Sequence, residues 1–256
     1  ATTKPLPTYL IAFAVGPFDV VEWESVASSS LRPQVLPLRG ITTRGKGKEI
    51  HFALERTANI VLELEKYFDT PYPYAKLDLI AVPDFGSGAM ENAGAITYRE
   101  QLILMDTSSP VSQKRSFYST HAHELAHQWF GNLVTPVWWD DIWLNESFAT
   151  WNSYIILEDI YPKEKYRSSL QYSASNVMRM DSLASARQIR EPIERHEDIG
   201  SAFNGITYQK GGAVLQMMED FVGKEAFRDG VRFHMKKYAF GHADAIQFIE
   251  SIERFS

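Results

Sequence analysis

A chain of 256 residues is long enough for one large domain or two subdomains around a sizeable core. Hydrophobic residues at 45% and charged residues at 23% are ordinary for a soluble globular protein, and a formal net charge of −6 with no basic run argues against nucleic acid or an acidic membrane as partner. The absence of cysteine excludes disulfides and thiolate metal sites and leaves the compartment unknown.

Strand-like runs flank Gly16-Pro17 between Thr8 and about Glu24. The apolar run Tyr9 to Val15 is too short to span a membrane and lacks the basic flank of a signal peptide, so it reads as a strand. Gln34 to Ile41 continues in extended pieces, and Arg44, Lys46 and Lys48 read as solvated loop cations. Ile50, Leu54, Ala58, Val61, Leu62 and Leu64 place an apolar stripe on a helix over 48–68, ended by Pro71 and Pro73. Leu77–Val82, Ala95–Tyr98 and Gln101–Met105 read as further strands, and after Pro110 the chain turns helical nearly to its end. Strands first and helices later predict an α+β protein. The expected division is a β-rich part over about 1–108 and a helical part over about 109–256, with no repeats or low-complexity tract.

Within the helical part, His123-Glu124-Leu125-Ala126-His127 falls on a segment whose apolar positions recur at helical spacing, stopped by Gly131-Asn132. Histidines four apart on a helix share a face and can share a metal ion, and Glu124 lies within reach of a water on that metal. A catalytic zinc site usually takes three protein ligands plus water, and without cysteine the third must be His, Asp or Glu. Glu146 follows His127 after an eighteen-residue spacer, on a second predicted helix over 140–160. A helix–loop–helix hairpin would bring it over the pair and leave the fourth position open. His121, His196, His234 and His242 read as packing or surface histidines. Thr150 and Asp141 are open as partners of the ligands or as plain helix surface.

Two further stretches extend the pattern. Gly88-Ala89-Met90-Glu91-Asn92 follows the Gly-rich turn Gly86-Ser87-Gly88, and Tyr208-Gln209-Lys210-Gly211-Gly212 precedes a helix. With the zinc motif and its spaced Glu146, these resemble the aminopeptidase N family of gluzincins, zinc peptidases with a thermolysin-like catalytic domain. The resemblance runs from Tyr9 to about Glu253.

The resemblance implies a mixed-sheet subdomain followed by a helical one, with the active site between. It implies one Zn2+ per chain held by His123, His127 and Glu146, with Glu124 as general base. Tyr208 would donate to the oxyanion, and Glu91 would hold the free α-ammonium of a peptide substrate. Gly88, Ala89, Met90 and Asn92 would line an extended substrate, and Ser87 and Phe203 match positions bordering the pocket for its first side chain.

The chain departs from that family in length, since members carry a β-rich domain before this stretch and a helical domain after it. It also stops at Phe255-Ser256 before a usual final helix, carries Ser147 for a common Gly, and Gly212 for a common Ala. Ser147 is expected to be neutral and Gly212 to loosen the helix start. Three readings therefore stand: a zinc aminopeptidase, an isolated zinc-binding fragment or peptide-binding scaffold with little activity, and a gluzincin endopeptidase.

Overall fold

The computed structural model describes residues 3–256. The chain divides into two compact units, Ala1–Asn132 and Leu133–Ser256. The helix that carries both motif histidines belongs to the first.

The first unit is built on a five-stranded mixed sheet in the order β1-β2-β3-β5-β4. Its strands are β1 (Phe18–Val26), β2 (Leu36–Thr43), β3 (Leu77–Val82), β4 (Ala89–Met90) and β5 (Ala95–Arg99). β2, β3 and β5 run parallel, while β1 and β4 close the two edges antiparallel. β3 is buried almost throughout, as a central parallel strand must be, whereas β2 alternates. Helix α1 (His51–Phe68) buries Phe52, Leu54, Ile60, Val61, Leu64 and Phe68; of the stripe read from the sequence, Leu54, Val61 and Leu64 are buried within it, while Ala58 and Leu62 are half-buried. It ends at Asp69 in the left-handed region, before either proline is reached.

A short helix α2 (Glu100–Ile103) and the long α3 (Val111–His127) complete the unit. Phe117 of α3 meets Phe52 of α1 edge-on, with ring centroids 5.6 Å apart. The extended run over Tyr9–Val15 is not a strand. Thr8–Leu10 forms a turn of 3-10 helix, only Leu10 is buried there, and Phe13 is 91% exposed. Nor is Gln101–Met105 a strand, because its first three residues belong to α2; a run of four apolar residues suits either state.

The second unit centres on α4 (Ile142–Ile160), which is buried almost all round. β6 (Val134–Pro136) precedes it and α5 (Tyr166–Asp181), α6 (Gly211–Val222) and α7 (Lys224–Lys237) follow. β7 (Gly241–Ala243) pairs parallel with β6, and α8 (Ala245–Glu253) closes the unit. Phe148 and Trp151 of α4, Phe227 of α7 and Phe248 of α8 form an aromatic core with ring centroids 5.1–6.2 Å apart. Mixed sheet and helices together make the α+β class the sequence predicted. No helix among the described residues is long and apolar enough to cross a membrane.

His234 sits on α7 against α8, with Nδ1 3.1 Å from Ser251 Oγ and its ring against Phe248 and Tyr238. Burial, helped by Lys237 and opposed by the Gln247 backbone and Asp244, lowers its pKa to about 4. The unfolded chain takes up this proton near pH 6.5 and the folded chain does not. Stability linked to His234 is therefore complete above pH 6.5 and lost as the pH falls toward 4, by about 3 kcal/mol. Urea unfolding across that window should show this slope, and His234→Gln should flatten it. An unchanged slope in the variant would exclude His234 as its source.

Candidate metal centre

α3 presents His123, Glu124 and His127 at its C-terminal end, with His123 half-buried and the other two buried. The imidazole rings of His123 and His127 lie 4.5 Å apart at 84°, and their Nε2 atoms face each other at 2.9 Å. His127 Nδ1 lies 3.0 Å from the carbonyl oxygen of Phe130. A carbonyl can only accept, so Nδ1 carries the proton and Nε2 offers a lone pair. That is how a metal-binding histidine is usually oriented.

Glu146 lies in the first turns of α4 and is buried. One ligand atom each from His123, His127 and Glu146 fall within 4.8 Å of one another. Two imidazole nitrogens and one carboxylate oxygen, with one imidazole already fixed through its other nitrogen, suit a zinc ion with an open position.

His121, two residues before His123, is a satisfied core histidine. Thr57 Oγ donates to Ala53 O at 2.9 Å, so it accepts from His121 Nε2 at 3.0 Å. His121 Nδ1 is left to accept from the Tyr98 hydroxyl at 2.8 Å. Burial pushes His121 down to about 3, which keeps it neutral. Burial, then the charge of Glu124, pushes the Tyr98 phenol well up. Asp141 is likewise accounted for: its carboxylate accepts from Arg190 Nε at 2.8 Å and from the Ala245 N–H. Thr150 is buried on α4, and its carbonyl accepts from Ser153 Oγ at 2.8 Å.

The 88–92 segment is clamped rather than loose. Ala89 and Met90 form β4, paired with Tyr98 and Thr97 of β5. Glu91 and Asn92 are buried. The Glu91 carbonyl accepts from Gln128 Nε2 at 2.9 Å and from Asn132 Nδ2 at 2.8 Å. Gln128 Oε1 accepts from Gly94 N–H at 2.9 Å and from the Tyr72 hydroxyl at 3.3 Å. Gly94 has φ +64°, and a Cβ there would stand 3.0 Å from Lys76 O, so the turn needs glycine.

Asn92 spans from Leu10 O to the Thr97 hydroxyl. The preceding turn, flexible by composition, is held by Arg99. Its guanidinium donates to the carbonyls of Phe85, Gly86 and Ser87 at 2.6–3.1 Å. Ser87 is exposed and Gly88 half-buried.

In the second unit, Tyr208 is half-buried in a π-helical turn, Ile206–Lys210, that runs directly into α6. Single π-turns are rare and frequent at functional sites. Phe203, just before this turn, is 40% exposed. Gly212 has room for a methyl group, since a Cβ would meet Leu170 Cδ1 at 3.4 Å.

Gln128, Asn132 and Arg99 went unrecognised in the sequence. The available signal was position: Gln128 directly follows a motif histidine, and Arg99 closes the run that begins at Gly88.

Comparison with known proteins points the same way. The model of the Peptidase family M1 domain matches residues 52–256. "Aminopeptidase M1-D" of Oryza sativa subsp. japonica is 41% identical over 93% of this chain, which spans 27% of that protein. "Probable aminopeptidase 1" of Sulfurisphaera tokodaii is 41% identical over 98% of this chain and 31% of its own length. "Endoplasmic reticulum aminopeptidase 2" of Bos taurus is 41% identical over 94% of this chain and 25% of its own length. The chain thus spans about a quarter to a third of the curated relatives it matches.

Proposed function

The chain belongs to peptidase family M1, and on that premise we propose that it is the catalytic domain of a zinc aminopeptidase acting on peptides with a free amino terminus. The observation that carries the reading is the convergence of His123, His127 and Glu146 donor atoms. We assign one zinc per chain to them and read both compact units as parts of one catalytic domain. The relatives' greater length supports further domains in the whole protein, which the family resemblance makes a β-rich one before this stretch and a helical one after it.

Bound there, zinc supplies Lewis-acid polarisation of the scissile carbonyl and of the attacking water. The chain's own residues do the rest. Glu124 accepts the proton of the attacking water and returns it to the leaving amine nitrogen. Tyr208 donates its hydroxyl to the oxygen on which charge develops. Glu91 holds the substrate's α-ammonium, which sets the cut at the first peptide bond. Its burial and doubly anchored carbonyl support this role, because a fixed carboxylate can measure a distance.

β4 is an outer strand of its sheet, so Gly88, Ala89, Met90 and Asn92 offer backbone groups to an extended peptide. Ser87 and Phe203 would border the first side chain, and their sizes suit a medium to large apolar residue.

The test compares aminomethylcoumarin amides of free amino acids with an N-acetylated peptide, with and without chelator. Cleavage confined to free-amine substrates, lost with chelator and restored by zinc, is the expected result. Cleavage of the blocked peptide would make the protein an endopeptidase. Chelator-insensitive cleavage would remove the metal from the reaction.

A further inference from the structure

Ser147 follows the ligand Glu146 and is fully buried inside α4. A buried serine within a helix commonly returns its hydroxyl to a carbonyl one turn earlier in the same helix. Here Ser147 Oγ donates instead to the carbonyl of Thr207, at 2.7 Å and sixty residues away in sequence. Thr207 immediately precedes Tyr208 in the π-helical turn. Its own hydroxyl donates to Ala202 O and receives the Arg187 guanidinium, so Thr207 is held through both its side chain and its carbonyl.

The space for this bond exists only because residue 211 is glycine. A Cβ on Gly211 would stand 1.8 Å from Ser147 Oγ and 2.8 Å from its Cβ. Gly211 is the first residue of α6, and its N–H bonds back to Ile206 O, the long span that makes the turn π-helical. Ser147 and Gly211 are thus a matched pair, and the serine is more than the neutral helix residue its propensity suggests.

We infer that Ser147 is a positioning residue that fixes the π-turn so that the Tyr208 hydroxyl keeps a set place relative to Glu146. A single buried hydrogen bond joins the residue after the metal ligand to the residue before the oxyanion donor. The inference rests on the role proposed for Tyr208 above. Misplacing an oriented group by a fraction of an ångström costs rate without costing binding.

The test is a double-mutant cycle in the zinc-loaded protein. Ser147→Ala keeps the bulk of the side chain and loses only the donor. It should lower kcat about fivefold, the rate equivalent of one net hydrogen bond, with zinc content and KM unchanged. In a Tyr208→Phe background the same change should cost almost nothing, because the hydroxyl being positioned is gone. Ser147→Gly, which cannot clash with Gly211, should repeat the pattern if the alanine variant folds poorly. Equal losses in both backgrounds, no loss in either, or loss of zinc from the serine variants would overturn the inference. If Tyr208→Phe alone leaves kcat intact, the role of Tyr208 itself fails, and that result is read from the single variant.

Discussion

Glu124→Gln is expected to cut turnover by at least ~10²-fold while the protein keeps its zinc. Glutamine has the shape of glutamate, and the histidines on either side of residue 124 in the motif are untouched, so the donor cluster should survive. What is lost is the ability to accept a proton from water and deliver it to the leaving nitrogen. The position favours a group with one task, since Glu124 is buried beside the half-buried His123 and near the phenol of Tyr98. The check is kcat measured against metal content in the same preparation. Wild-type-like turnover at full zinc would remove Glu124 from the proton transfer.

Tyr208→Phe should raise the barrier by about 2.7–4 kcal/mol, the usual value of one oxyanion donor, which is roughly 10²–10³ in kcat. The hydroxyl acts on charge that exists only near the transition state, so KM should scarcely move. A raised KM with unchanged kcat would place Tyr208 in ground-state binding instead. Phenylalanine keeps the ring packing of the π-turn, so a loss of folding is not the expected outcome.

Much of this site was legible because its chemistry is periodic. Two histidines four apart on a helix need only the helix to be correct, and α3 is. Glu146 required a second helix after a loop, and the apolar recurrence over 140–160 predicted that helix to within two residues at its start. The supports were illegible for a physical reason. Gln128 and Asn132 reach the Glu91 carbonyl across 37 and 41 residues of sequence, and a backbone acceptor leaves no mark in the side chain that accepts.

A two-residue strand such as Ala89–Met90 has no period to detect, and its pairing with β5 comes from tertiary structure alone. The reading of Tyr9–Val15 as a strand failed differently. Its apolar residues have the composition of a strand, yet Ile11, Phe13 and Val15 are exposed and no ladder forms. Ser147 shows the limit of propensity, because its value depends on a glycine sixty-four residues on that leaves it room.

Gln128 adjoins the proposed metal ligand His127 on one side and, through its amide, grips the backbone of the proposed amine anchor on the other. One rigid side chain therefore belongs to two binding events. Under thermodynamic linkage, whatever metal occupancy contributes to the hold on a substrate's amino group, substrate must return equally to the hold on the metal. A saturating, uncleavable peptide analogue with a free amino terminus should then raise the chelator concentration needed to remove zinc at equilibrium, and its N-acetylated form should not. On this view the metal is held hardest while the peptide's amino group is bound.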